Sequence, residues 1–360
     1  MWPDARLLDL LGIEHPIIQA PTAGAVSPEM VIQVSEAGGL GSLPCAMLTP
    51  DQARNDLGVI RQRTSRPVNL NFFCHTPPRS DPAMEARWRD RLRPYYAELG
   101  IDADAPNPAA IRNPFDNAFC RVVEEFKPEA VSFHFGLPAS DLLERVKATG
   151  ARVLSSANSV REARWLEERG CDAIIAQGFE AGGHQAMFLS HNVDTQVGTM
   201  ALVPQIADAV KVPVIAAGGI ADDRGIAAAF ALGASGVQIG TAYLLCPEAT
   251  IRPVHREALL SAHENETALT NVFTGRPARG IMNRAMREIG AISDTAPDFP
   301  LAATALAPLR TKAEAAGRDD FTALWAGQAF RLAKEMSARD LTTMLARDAQ
   351  KRLERGAAQG

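Results

Sequence analysis

Residues 172–184 read DAIIAQGFEAGGH, an apolar run that passes into glycines and stops on a histidine. Ala173, Ile174, Ile175 and Ala176 make up the run, and Gln177 and Glu180 are the polar groups at its end. A short continuous apolar segment bounded by glycine is what a strand buried on both faces looks like. Gly182 and Gly183 remove side-chain bulk, so a flat ring could approach the backbone there. His184 then falls at the carboxyl end of the strand, where parallel-sheet enzymes keep their chemistry. Two downstream strands end in the same way, PVIAAGGI at 213–220 and GVQIGTA at 236–242. Three glycine-ended strands in one half of the chain point to a phosphorylated cofactor.

Worked outward from this stretch, short apolar strands are expected over 15–21, 39–44, 67–73, 130–136, 152–157, 173–180, 213–219 and 236–244. Helical patterns fall between them over 28–37, 50–63, 141–149, 160–169 and 222–232. Strands that alternate with helices predict a parallel sheet. Eight such repeats predict a closed (β/α)8 TIM barrel in the α/β class, ahead of an open doubly wound sheet. Two stretches break the pattern. Residues 74–117 are rich in proline, arginine and aromatics, and predict one exposed helix over 81–99 laid across the rim. Residues 246–319 read as mostly helical with little strand signal, a smaller lid domain inserted after strand eight. Residues 321–355 read as a helix that returns to the barrel. The expected division is a barrel of 1–245 plus about 320–360, and a lid of about 246–319.

Composition removes several function classes. The chain has 360 residues, a formal net charge of −5 and a sequence pI near 5.9, with no basic block to hold nucleic acid. No stretch approaches the roughly 20 apolar residues of a membrane span, and the acidic N-terminus is no secretory signal, so a cytoplasmic protein is expected. The five cysteines are scattered without a CxxC pair, which argues against a disulfide framework or zinc site. His184 and His191 lack helical ligand spacing, so no metal is expected. No GxSxG elbow is present. The expected partner is a small molecule, with self-association left open.

The strand ends carry the candidate site. In barrels a phosphate often sits between the loops after strands seven and eight. Ala217, Gly218 and Gly219 fall at the first of these ends, and Gly240 and Thr241 at the second. Backbone N–H groups there can point at phosphate oxygens, although glycines used only for tight turns would look the same. Ala20, Pro21 and Thr22 form the turn after strand one, and Gln177 is placed to bond a heteroatom of a cofactor ring. Asn69 and Asn71 alternate with Leu70 and so share one face, toward a ring edge, a substrate or a neighbouring side chain. His134 ends strand four and lines either substrate or core. His184 has the near-neutral pKa of a general base, or it donates to a loop carbonyl. Gln328, in LWAGQAF, follows a glycine that lets a loop approach the barrel mouth, or it is a solvated residue at the start of the last helix.

Together IIQAP, DAIIAQGFEAGGH, PVIAAGGI, VQIGT and the late WAGQ resemble the nitronate monooxygenase family, formerly called 2-nitropropane dioxygenase, from about residue 15 to 328. FMN-dependent enoyl-acyl-carrier-protein reductases carry a similar glycine–histidine block. IMP dehydrogenase-like barrels share only the layout of the phosphate loops. The resemblance implies an FMN enzyme that oxidises alkyl nitronates, and neutral nitroalkanes with them, by O2 to a carbonyl compound and nitrite. It implies His184 as the base, with Gln177, Gly182, Gly183, Gly218, Gly219, Gly240 and Thr241 on FMN and Asn69 and Gln328 near its ring. Family members often carry glycine two positions after the histidine, where this chain has Ala186. Two alternatives stand beside this reading: an FMN-dependent NAD(P)H reductase of enoyl thioesters, and a flavin-free isomerase or lyase acting on a phosphorylated substrate.

Overall fold

The computed structural model describes residues 2–79, 81–105 and 112–357. The eight expected strands all form, each within its apolar run: β1 (Ile17–Gln19), β2 (Gly41–Pro44), β3 (Val68–Phe73), β4 (Ala130–His134), β5 (Arg152–Ala157), β6 (Ala173–Gln177), then β8 (Val214–Ala217) and β9 (Gly236–Ile239). Between β6 and β8 lies a two-residue strand, β7 (Gly183–His184), which belongs to a second sheet. The eight pair in parallel in the order β1-β9-β8-β6-β5-β4-β3-β2. The Leu40 amide donates to the Ile17 carbonyl at 2.9 Å, and the Gln19 amide donates to the Leu40 carbonyl at 3.0 Å. These bonds join the two end strands and close the (β/α)8 barrel.

The helices between the strands begin where the sequence supplies a cap. Ser27, Asp81, Asp116, Ser159 and Asp222 each accept an amide N–H of the first turn that they precede. Thr49 and Gln52 form a reciprocal capping box at the start of the helix Pro50–Arg63. Strand residues alternate between two cores. Leu70, Phe72, Val131 and Phe133 face outward beneath the helices. Ile18, Leu154, Ile175, Ile215 and Ala217 face inward, joined by Leu7 and Leu11 of the helix Arg6–Leu11. That helix plugs the amino-terminal end of the barrel, which leaves the carboxyl end for a site.

The two irregular stretches form one layer over the mouth. The helix Pro82–Glu98 sets Trp88, Leu92, Tyr95 and Tyr96 against Phe273, Leu306, Leu309 and Phe321. Trp88 Nε1 donates to the Ala302 carbonyl at 3.1 Å, on the helix Ala302–Ala315. The stretch after β9 departs from its mostly helical expectation. It contains an antiparallel hairpin, β10 (Thr267–Thr270) and β11 (Ala278–Ile281), and β11 also pairs with β7. The expected helix over 321–355 is likewise shorter. It runs Ala338–Ala357 and packs on the helices Pro28–Glu36 and Asp223–Ala231. Residues ahead of it form turns and a short 3-10 turn, Phe330–Leu332, and Trp325 bridges Gly280 just beyond where β7 pairs with β11, so sheet bonding there overrides helical propensity. No helix among the described residues is long and apolar enough to cross a membrane.

Candidate active site

A cleft opens at the carboxyl ends of the strands. Ala20, Pro21 and Thr22 enter it from the turn after β1, Asn71 and Phe73 from β3, and His134 from the end of β4. Gln177, Gly182, Gly183 and His184 follow from β6 and β7. Ala217, Gly218, Gly219, Gly240 and Thr241 complete the floor, and Phe273, Thr274, Arg310 and Trp325 form the roof. The barrel thus collects most of the sequence candidates into one space.

Two candidates fall elsewhere. Asn69 is fully buried one layer below the cleft, where its Nδ2 donates to Ser42 Oγ at 3.0 Å and to Ser132 Oγ at 2.8 Å. Asn71 Nδ2 meets the same Ser132 hydroxyl at 2.9 Å from above. The two asparagines share a face as expected, but only the one nearer the carboxyl end reaches the cleft. Gln328 has an exposed side chain and is not in a helix. Its backbone amide binds the Glu180 carbonyl at 2.9 Å, and the neighbouring Gly327 amide binds Thr241 Oγ1 at 2.9 Å. The WAGQ loop thus meets the cleft with its backbone and with Trp325, while the glutamine side chain lies at the surface.

His184 is set by two sheets at once. Its backbone lies opposite Ala278 of β11. Its carbonyl accepts from Gln177 Nε2 at 3.1 Å and faces His134 Nε2 at 3.2 Å. Its ring Nε2 meets Thr274 Oγ1 at 3.0 Å, no hydrogen bond to Nδ1 is found among the described residues, and the residue lines the cleft. Phe299 and Trp325 hem the imidazole, with ring centroids at 5.3 and 5.6 Å. Burial, then the neighbouring His134, Arg112, Arg276 and His75, hold the His184 pKa well below the ordinary 6.5. The default near-neutral value is thus corrected downward, and the ring is neutral across the physiological range. His134 is pushed to about 4, mainly by burial. With Ser156 Oγ on Nδ1 at 3.2 Å, both of its ring nitrogens are engaged.

The glycines serve three different needs. Gly183 has open space around it and is required for its left-handed φ of +72°. A Cβ on Gly182 would lie 2.5 Å from the Gly327 nitrogen, so this glycine is needed to admit the WAGQ backbone. Gly218 and Gly219 have φ of +107° and +70°, and turn the chain back across the cleft. The N-terminus of the adjacent helix Thr199–Ala207 is already occupied, because Glu180 accepts from the Thr199 amide at 2.8 Å. The loop after His184 is clamped from behind. Buried Glu162 accepts the amides of Asn158, Phe188 and Leu189 at 2.8, 2.8 and 3.0 Å. Ala186, in the place of the family's glycine, is fully buried and donates to Gln177 Oε1 at 2.7 Å.

The electrostatic balance of the cleft is one-sided. Arg112, Arg310, His134 and His184 line it, with no carboxylate among its described lining residues. Arg276 stands just behind, its guanidinium 3.9 Å from the centre of the Phe135 ring, and burial lowers its pKa to about 10. Sequence reasoning missed Gln238, Thr274, Arg310 and Trp325. Gln238 alone had a legible signal, as the one polar residue within the apolar strand GVQI. Its Oε1 is buried without a partner.

Comparison with known proteins agrees with this arrangement. The family model described as nitronate monooxygenase matches residues 4–348. A nitronate monooxygenase of Pseudomonas aeruginosa is 43% identical over 346 residues, 94% of this chain and 97% of the relative. The solved nitroalkane oxidase from Streptomyces ansochromogenes superposes with a TM-score of 0.88 at 36% identity, covering 98% of this chain and 99% of that one. FabK from Thermotoga maritima follows at a TM-score of 0.75 and 29% identity, covering 99% of each chain. With a family match spanning nearly its whole length and a curated relative above 40% identity, this chain belongs to the nitronate monooxygenase family.

Proposed function

We propose that this chain oxidises alkyl nitronates with molecular oxygen to a carbonyl compound and nitrite, using FMN. The observation that carries the reading is a neutral histidine with one unpartnered nitrogen, facing a cleft that holds cations and no described carboxylate. Such a cleft attracts an anionic nitronate and stabilises the negative charge that grows as a nitroalkane loses its proton. FMN fits the residues present. Gly218 and Gly219 line the cleft with bare backbone, and Gly218 is packed so closely on Ala181 and Thr199 that a Cβ would meet them at 3.0 Å. The orphaned Gln238 Oε1 calls for a donor, which a sugar-alcohol hydroxyl supplies and a phosphate does not. Gly240 and Thr241 would flank the phosphate, while Ala20, Pro21, Thr22 and Gln177 would flank the rest of the cofactor. When bound, FMN supplies the transfer of electrons from nitronate to oxygen.

The chain's own groups bind, orient and move one proton. His184 takes the α-proton of a neutral nitroalkane: the C–H bond breaks, its electron pair stays on the nitronate and the proton passes to the imidazole. Asn71, its Nδ2 held by Ser132, lines the substrate side of the cleft. His134, with both nitrogens engaged, holds the His184 backbone. Residues 246–319 act as the lid over the barrel of 1–245 and 320–360, with the helix Pro82–Glu98 packed against them. We further assign the reaction to the cytoplasm and to small-molecule partners.

A second reading, reduction of enoyl thioesters with NAD(P)H, comes from the similar glycine–histidine block of the FMN-dependent enoyl-acyl-carrier-protein reductases. One anaerobic experiment separates them. Mixing purified protein with a simple alkyl nitronate should bleach the flavin without NAD(P)H, and admitting oxygen should release nitrite. A yellow protein inert to nitronate but bleached by NAD(P)H would transfer the assignment to the reductase. A colourless protein that takes up no FMN would leave the flavin-free isomerase or lyase.

A further inference from the structure

We propose that Thr274 is a positioning residue: it holds the proton of His184 on Nε2 and so leaves Nδ1 as the basic nitrogen toward the cleft. The inference rests on the reading of His184 as the base. Thr274 Oγ1 lies 3.0 Å from His184 Nε2 and 3.4 Å from the Arg276 carbonyl. A carbonyl only accepts, and a hydroxyl has a single proton to give. With that proton on the Arg276 carbonyl, Thr274 presents a lone pair to Nε2, and Nε2 must carry hydrogen. The neutral ring has one N–H, so Nδ1 is left with its lone pair.

The bond is held by its surroundings. Thr274 lies in the loop between β10 and β11, and the Thr274 and Gly275 amides both return to the Asn271 carbonyl, at 3.4 and 2.7 Å. Gly275 takes the left-handed φ of +90° that this turn requires. His184 lies opposite Ala278 in the same three-stranded sheet, so both ends of the bond hang on one framework. Phe299 and Trp325 against the imidazole resist a ring flip. The opposite tautomer would place N–H toward the substrate, where it cannot take a proton.

The test is a nitrogen-15 NMR spectrum of holoenzyme labelled in histidine, with His184→Asn identifying the resonances. The expected result is a protonated Nε2 and an unprotonated Nδ1. Thr274→Val keeps the shape and removes the hydroxyl. It should shift the ring toward N–H on Nδ1 and lower nitroalkane turnover by about 10- to 100-fold, within what a general base contributes. Oxidation of pre-formed nitronate should fall by a clearly smaller factor than nitroalkane turnover, because no proton is removed. Thr274→Ser should restore tautomer and rate. A wild-type ring with N–H on Nδ1, or a Val variant that keeps both tautomer and rate, overturns the proposal. The serine variant and the wild-type spectrum decide the matter even if Thr274→Val fails to fold. Should His184→Asn retain full nitroalkane turnover, the base reading falls, and the wild-type spectrum still reports separately on Thr274.

Discussion

Gly182→Ala tests how the cleft is assembled. The added Cβ would sit 2.5 Å from the Gly327 nitrogen, 2.6 Å from the Ala326 carbonyl carbon and 3.0 Å from its Cα. These are backbone atoms, so no side chain can swing aside. Ordinary contact begins near 3.4 Å, and the WAGQ loop must therefore retreat by roughly 0.9 Å, the difference between 3.4 and 2.5 Å. Overpacking of this kind costs about 1–3 kcal/mol. The same retreat strains the bonds from Gly327 to Thr241 and from Gln328 to Glu180, each worth about 1 kcal/mol net. A loss of about 2–4 kcal/mol is expected in chemical denaturation. Trp325 moves with the loop, and displacement of about 1 Å at a reacting site can cost on the order of 100-fold in turnover. Gly58→Ala is the control, because it lies inside the helix Pro50–Arg63 with nothing within 4 Å of the new Cβ. It should stabilise by about 0.5–1 kcal/mol. A Gly182→Ala protein with wild-type stability and wild-type nitronate turnover would refute the account of the loop.

Three further outcomes follow from the site. His184→Asn should cost about 10²–10⁴-fold with neutral nitroalkanes, spare pre-formed nitronates and leave flavin content unchanged; the wild-type rate with nitroalkanes should hold well below pH 6.5, because the histidine pKa is depressed. His75, His134 and His255 are each held near 4 chiefly by burial, against an ordinary 6.5. Their unfolded forms take protons first, so their stability contribution is complete above about pH 6.5 and is lost as pH falls toward 4; a melting temperature flat across that window would contradict this. Glu162→Ala strands one buried and two half-buried amides and should lower stability by about 1–3 kcal/mol, read by denaturant titration, with Glu162→Gln intermediate.

The barrel was legible because its strands are short apolar runs with glycine at their ends, a signal that needs no partner to be read. The second sheet was not. Strand β7 is only Gly183–His184, too short for any period, and β11 reads ARGI, whose buried Arg279 disguises a strand. Arg279 is accommodated because its Nε reaches the Phe179 carbonyl at 3.0 Å, a contact one hundred positions away. Alternation showed that Asn69 and Asn71 share a face, but depth along the barrel axis is a tertiary property, and only Asn71 reaches the cleft. Arg310 and Thr274 carry no local mark. One sits on an ordinary helix and the other in a turn, and each gains meaning only from what folds beneath it.

The pairing of β7 with β11 has a consequence for inheritance. In many barrels the catalytic loops can diverge one at a time, since each hangs from its own strand. Here His184 leaves β6 but is knitted into a hairpin that begins some eighty residues later. Residues that shape the roof, and hence which molecules enter, also steer the imidazole. A transplant of the 267–281 hairpin from a relative would bring a new setting for the histidine along with a new entrance. Selectivity and reactivity in this chain are therefore expected to drift together over evolution, as one heritable unit.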